Sequence, residues 1–170
     1  MKINHKIDID LLEFTKSGKF DVLKNGQTRE WVLNNFPDPD DFEDGVSWKN
    51  GDSEIFTYGD FELHFSHDIL FLIFADFEGL IDEGDSLTFS NKWIFEKETS
   101  KLNLPYVMNE LLKAKIDFST KINDQLNSII LKTAGNVKIH FEAEELTNPI
   151  DYCFTAICIN DRSVLNKTKK

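Results

Sequence analysis

One short segment, together with a near copy of it later in the chain, constrains the fold most. Residues 58–65 read Tyr-Gly-Asp-Phe-Glu-Leu-His-Phe, so apolar and polar side chains alternate after a glycine. Such alternation is typical of a strand with one buried face. Residues 133–141 carry the same glycine, the same alternation and the same closing His-Phe, with Gly59 and Gly135 76 positions apart. The pattern predicts two copies of one unit.

Helix signals precede each copy. Asp8 or Asp10 can cap a short first helix that ends at Gly18, and Thr28 can cap a second that ends before Pro37. Asn103 can cap a third, with Pro105 in its first turn. The stretches 31–34 and 106–109 in these last two helices also align, at an offset of 75.

Short strands are predicted to follow each helix. Residues 69–76 are apolar at nearly every position, as expected of a strand in the middle of a sheet that is covered on both faces. The predicted strands are 46–48, 54–58, 61–65, 69–76, 116–122, 128–132, 137–141 and 152–159.

These elements predict an α+β fold in one domain spanning 1–170. Two tandem helix-plus-antiparallel-meander repeats, about 8–77 and 86–160, form one antiparallel sheet with the helices packed on one face. Residues 78–85 serve as a linker and 161–170 as a polar, frayed tail. The side chains expected toward the helices are Phe61, Leu63, Phe65, Val137, Ile139 and Phe141, and those expected on the open face are Asp60, Glu62, His64, Lys138, His140 and Glu142.

The charge balance narrows the class of partner. A net charge of −11 disfavours nucleic acid and anionic membranes, and it favours a basic protein partner or serves solubility alone. No secretory signal and no membrane-length apolar run is visible, so a cytoplasmic location is expected. Cys153 and Cys158 lie five apart on a predicted strand, so we expect them to face opposite sides as buried, reduced thiols.

An acidic segment runs from Asp38 to Asp44, and it is predicted to be an exposed loop. A calcium loop is the sharper alternative, but the spacing does not fit an EF-hand, because Phe42 occupies the third position when Asp40 is the first. A solvated acidic loop is the preferred interpretation.

No catalytic motif was found, and no cofactor, no metal and no enzymatic activity are predicted. His64 and His140 occupy equivalent places in the two copies, which suggests a ligand pair. The repeat itself explains the coincidence, since equivalent strands need not be neighbours.

The residues also support a resemblance. Residues 26–30 leading to Phe36-Pro37 resemble the entry motif of outer-membrane-assembly lipoproteins of the SmpA/OmlA type. The tandem layout resembles the β-lactamase inhibitor proteins, and residues 28–41 with 58–65 resemble a family of small uncharacterised bacterial proteins. No lipidated cysteine and no disulfide are expected here, unlike in the first two groups. The resemblance implies a scaffold that presents a sheet face and loops to another protein.

The leading functional hypothesis is a cytoplasmic immunity protein that neutralises a basic bacterial toxin domain by direct binding. The candidate contact residues are Asp38, Asp40, Asp41, Glu43, Asp44, Trp48, Glu62, His64, Lys138 and His140. A structural or housekeeping module, either a monomer or a weak homodimer, is the alternative. A small-ligand binder is the third hypothesis, and it requires a concave pocket with convergent polar groups.

Overall fold

Two four-stranded meanders run through the chain, and each follows a helix. The computed structural model describes residues 5–48, 51–145 and 148–166, with only the backbone described at 44–48 and 51–53. The first unit comprises α2 (Arg29–Asn35), β2 (Asp41–Trp48), β3 (Gly51–Tyr58), β4 (Phe61–Ser66) and β5 (Ile69–Asp76). The second comprises α3 (Leu104–Lys113), β7 (Phe118–Asn123), β8 (Ser128–Thr133), β9 (Lys138–Glu142) and β10 (Cys153–Asn160). Ahead of and between them lie β1 (Ile7–Asp10), α1 (Leu11–Ser17) and β6 (Leu87–Asn91).

The two meanders form a single eight-stranded sheet in the order β2-β3-β4-β5-β10-β9-β8-β7. All neighbours are antiparallel, and β5 and β10 join the halves through pairs such as Ala75 with Ile157. The predicted α+β class with one large antiparallel sheet is confirmed. Each half has the helix-then-meander layout that a duplication requires, while the tandem repeat itself stays a prediction.

The three helices begin at the predicted caps. Asp10 Oδ1 accepts a hydrogen bond from Glu13 N at 2.8 Å, and Thr28 Oγ1 accepts one from Trp31 N at 3.1 Å. Asn103 caps α3 in the same way. Each cap satisfies a main-chain N–H that the first helical turn leaves without a partner.

The core lies between the helices and one face of the sheet. Phe61 on β4 and Phe141 on β9 are at most 1% exposed, and their neighbours on the same face are equally buried. Phe14 of α1 meets Phe61 edge-on at 6.0 Å between ring centroids. Val32 of α2 and Val107 of α3 belong to the same cluster. The prediction of which strand residues face the helices is therefore confirmed.

A parallel pair, β1 with β6, was not predicted. Ile7 lies opposite Leu87, and their side chains join the helix side of the core. The Asp8 carboxylate accepts hydrogen bonds from the main-chain N–H and the hydroxyl of Ser90 on β6. Residues 80 positions apart in sequence thus hold the N-terminal strand in place.

Several predicted boundaries were wrong. The segment Asp38–Asp44 is not entirely loop, because β2 begins at Asp41. The sheet-edge position explains this, since an edge strand tolerates charged side chains. The tail is not wholly frayed either, because Arg162–Asn166 form a 3-10 helix. The Asn50-Gly51 pair between the predicted strands 46–48 and 54–58 is a turn signal, and Asn50 lies outside the described residues.

Residues 78–85, the predicted linker, pack against the turn between β3 and β4. A Cβ on Gly59, at φ 56°, would approach the main chain of Glu83 and Gly84 at 2.6 Å. Asp60 Oδ2 accepts a hydrogen bond from Asp82 N at 2.6 Å. A glycine is therefore needed at position 59, both for the left-handed backbone and for this close approach.

Candidate protein-binding surface

The sheet face opposite the helices is the candidate surface, and we call it the open face. The three α-helices and the β1–β6 pair all contribute buried side chains to the cluster on the other face. Strand register assigns residues to the open face, since directly opposed residues point to the same side. It carries Ile55, Glu62, His64, Leu72, Phe74, Asp76, Ala156, Cys158, Lys138, His140, Ile130 and Lys132.

The centre of the open face is apolar. On the middle strand β5, Leu72 and Phe74 are half-buried there, with Phe71 beside them at a bulge. On the adjoining β10, Ala156 and Cys158 occupy the same face and are 7% and 6% exposed. A one-sided antiparallel sheet normally carries polar side chains on its solvent face. The alternation therefore fails on the two central strands.

His64 is embedded in this apolar centre. Its side chain lies between the rings of Phe71 and Phe74, at 6.4 and 6.1 Å between centroids, and the residue is 6% exposed. Its Nε2 lies 2.7 Å from Glu62 Oε2. The predicted position of His64 on the open face is correct. Its side chain is buried and hydrogen-bonded, however, and it is not a freely exposed contact.

His140 lies on the other side of the apolar centre. Its Nε2 is 3.5 Å from Cys158 Sγ. Burial, with a smaller effect from Lys138, lowers the pKa of His140, and burial raises the pKa of Cys158 to about 11. Both groups are therefore held neutral at pH 7. This favours a structural role over acid–base chemistry.

The suggested His64–His140 ligand pair does not form. The two strands, β4 and β9, are separated by β5 and β10. Three strand spacings separate them by about 14 Å across the sheet, and their register positions on β10, Asn160 and Ala156, are four residues apart along the strand. No group of three or more metal-binding side chains occurs within the described residues.

The expectation that the two cysteines face opposite sides was wrong. Cys153 pairs with Glu142 and Cys158 with Lys138, which places both on the open face. The bulge between Phe154 and Ala156 inserts one extra residue and resets the alternation. Both thiols are free, with Cys153 exposed and Cys158 buried.

The open face has an acidic half and a mainly basic half. The half formed by β2 to β5 carries carboxylates at Asp41, Glu43, Glu62 and Asp76, placed by the strand register. The half formed by β7 to β9 carries Lys121, Lys132 and Lys138, together with Glu142. A partner would therefore meet acid on one side of the apolar centre and mainly lysine on the other.

The predicted acidic contact residues do not form one continuous patch. Asp41 and Glu43 are exposed on the edge strand β2. Asp40 Oδ2 instead accepts a hydrogen bond from Gly59 N at 2.8 Å, and the Asp38 carbonyl accepts one from Ser86 Oγ at 2.7 Å. Asp40 therefore holds the turn after β3, and Asp38 contacts the residue that precedes β6. The side chains of Asp44 and Trp48 lie outside the described residues.

Sequence reasoning missed the apolar residues Phe71, Leu72 and Phe74. The signal was present, because residues 69–76 were recognised as apolar on both faces. That run was interpreted as a strand covered on both sides, whereas the α-helices among the described residues pack on only one side of it. In the part of the chain that the structure describes, no helix is long and apolar enough to cross a bilayer.

Comparison with protein-family models, with curated proteins and with solved structures finds no significant match to this chain.

Proposed function

We propose that this chain is a non-catalytic protein-binding module, and that its partner docks on the open face. The observation that carries the proposal is the apolar centre formed by Phe71, Leu72 and Phe74 on the face opposite the α-helices of the described residues. Apolar patches rimmed by polar groups mark interaction sites. Aromatic side chains at the centre of such a patch contribute most of the binding energy.

In its concrete form the proposal is an immunity protein that neutralises a bacterial toxin domain by occlusion. The net charge of −11 and the resemblance to inhibitor scaffolds support this form. A basic surface on the toxin would meet the carboxylates of the β2–β5 half, which increases the association rate and disfavours wrong partners. The apolar centre would be buried against the toxin.

The test uses two variants of the full chain as baits in the native host. Phe74→Glu places a charge in the centre of the open face. Leu112→Glu is the matched control, since Leu112 is 65% exposed on α3, a helix that packs on the other face. We expect a partner that the wild type and Leu112→Glu both retain and that Phe74→Glu loses. Identical partners for all three baits would contradict the proposal.

A growth assay tests the toxin form separately. The partner captured by the wild-type bait is expressed alone, which should arrest the growth of a heterologous host, and together with each variant. We expect the wild type and Leu112→Glu to restore growth and Phe74→Glu to fail. If the face binds a partner but no variant alters toxicity, protein binding stands and the immunity role is refuted.

A further inference from the structure

A cavity of about 910 Å³ lies at one end of the sheet, away from the centre of the open face. Its walls are the end of α1, the turn at residues 19–27, the β8–β9 turn and the end of β10. The volume falls in the range that holds a drug-sized ligand. A concave pocket of this kind is what the small-ligand hypothesis from the sequence requires.

The floor of the cavity is apolar. Leu23 and Ile73 are buried there, and Ile159 and Trp31 are half-buried. Leu23 and Ile73 belong to the main core, and Trp31 and Ile159 pack against it. Trp31 and Ile159 therefore offer an apolar and aromatic surface to the body of a ligand, and the buried Leu23 and Ile73 support it from below.

The rim of the cavity is basic, against the acidic balance of the whole chain. Lys19, Lys24, Lys132 and Lys138 line it, with Asp21 and Asp161 as the two carboxylates. No ion pair involves any of these four lysines among residues 5–48, 51–145 and 148–166. Lys138 Nζ donates a hydrogen bond to Asn160 Oδ1 at 2.7 Å, which holds it at the rim without neutralising it.

Two of the lysines face each other directly. Lys132 on β8 and Lys138 on β9 are register partners. Like charges directly opposed across a strand pair destabilise a sheet. A bound anion between the two ammonium groups would convert this repulsion into attraction.

The walls are joined to each other by buried contacts. Thr133 Oγ1 donates a hydrogen bond to the Thr15 carbonyl at 2.8 Å, and both residues are buried. A Cβ on Gly135 would lie 2.5 Å from the main chain of Ser17, so the turn and the helix end approach at backbone distance. A cavity that is formed in advance spares the ligand the ordering cost of binding.

We propose that this cavity binds a small organic anion, with its apolar body on Trp31 and Ile159 and its phosphate or carboxylate between Lys132 and Lys138. The site goes beyond the proposed function, because it needs no protein partner, and it shares Lys132 and Lys138 with the lysine half of the open face.

The experiment titrates the full chain with four probes that separate charge from apolar contact. These are 1-naphthyl phosphate, 1-naphthoate, uncharged 1-naphthol and inorganic phosphate. Calorimetry gives the affinity, and amide shifts at Gly18 and Asn136 locate the site. We expect one or both naphthyl anions to saturate the cavity, with 1-naphthol and inorganic phosphate at least about tenfold weaker, since each provides half of the interactions. The stronger anion identifies the preferred head group.

The anion contacts are tested with two variants, Lys132→Gln and Lys138→Gln. The control is Lys121→Gln, because Lys121 is exposed on the next strand outside the cavity. We expect the first two to weaken the better naphthyl anion about tenfold or more and the control to change it less than twofold. Equal affinity for 1-naphthol, equal affinity of all variants, or no saturable binding at millimolar probe would each overturn the proposal. Circular dichroism confirms that the variants fold.

Discussion

Thr133 Oγ1 lies 2.8 Å from the main-chain oxygen of Thr15, and this hydrogen bond is buried. It joins the end of β8 to α1 across 118 positions of sequence. Thr133→Val keeps the shape of the side chain and leaves the Thr15 carbonyl without that donor. We expect a loss of about 1–3 kcal/mol in the free energy of unfolding, measured by urea denaturation.

Thr120→Val is the control for that substitution, because Thr120 is exposed on the edge strand β7. Its expected change is within about 0.5 kcal/mol. Similar losses in both variants would show that the buried hydrogen bond has no special role.

Gly18 and Gly79 form a matched pair of left-handed glycines, at φ 75° and 80°. A Cβ on Gly18 would collide with the carbonyl oxygen of Gly135, whereas a Cβ on Gly79 meets nothing within 4 Å. Gly79→Ala should therefore cost only the left-handed strain, about 1–2 kcal/mol. Gly18→Ala should cost clearly more in the same denaturation experiment. Equal costs would mean that the helix end and the β8–β9 turn are not in close contact.

Asp8 makes stability depend on pH. The hydrogen bond from the Ser90 hydroxyl, opposed in part by burial, lowers the pKa of Asp8 below its ordinary value of 3.8. The unfolded chain thus binds more protons between the folded pKa and 3.8, so this stabilisation is complete above that window and is lost as the pH falls through it.

We expect Asp8→Asn to unfold at lower denaturant concentration than the wild type at pH 7. The difference should shrink as the pH is lowered through and below 3.8. Asp124→Asn, at an exposed position, is expected to match the wild type at pH 7. A difference between Asp8→Asn and the wild type that is constant from pH 7 to pH 2 would contradict the assignment.

The two thiols should differ in reactivity. Cys153 is exposed, whereas Cys158 is buried beside His140 and burial raises its pKa to about 11. A thiolate reagent such as Ellman's reagent at pH 8 should modify Cys153 quickly and Cys158 only after unfolding. Cys153→Ser should abolish the fast phase. A fast phase that survives in this variant would show that Cys158 is accessible.

Local signals allowed much of the fold to be predicted from the sequence. The caps at Asp10, Thr28 and Asn103 and the alternation in β4 and β9 are encoded within a few residues, and all were confirmed. The β1–β6 pair escaped prediction because it depends on a contact between distant segments. The β-bulge near Thr155 also escaped prediction, because no residue pattern in the sequence indicates it. This bulge changes the side of the sheet that Cys153 faces.

The candidate surface was predictable only in part. Glu62, His64, Lys138 and His140 were placed on the open face, as their alternation with buried residues requires. The apolar centre was missed because a strand that is apolar on both sides is ordinarily covered on both sides. Only the arrangement of the three α-helices among the described residues, which all pack on the other face, shows that no α-helix covers this side of β5.

Direct titration of the captured partner tests the central claim, that the open face binds another protein. Purified partner is titrated against the wild-type chain, Phe74→Glu and Leu112→Glu under identical salt conditions. We expect Phe74→Glu to bind at least about 30-fold more weakly, because loss of a central aromatic contact costs about 2 kcal/mol or more, and Leu112→Glu to match the wild type. Equal affinity for the wild type and Phe74→Glu would contradict it.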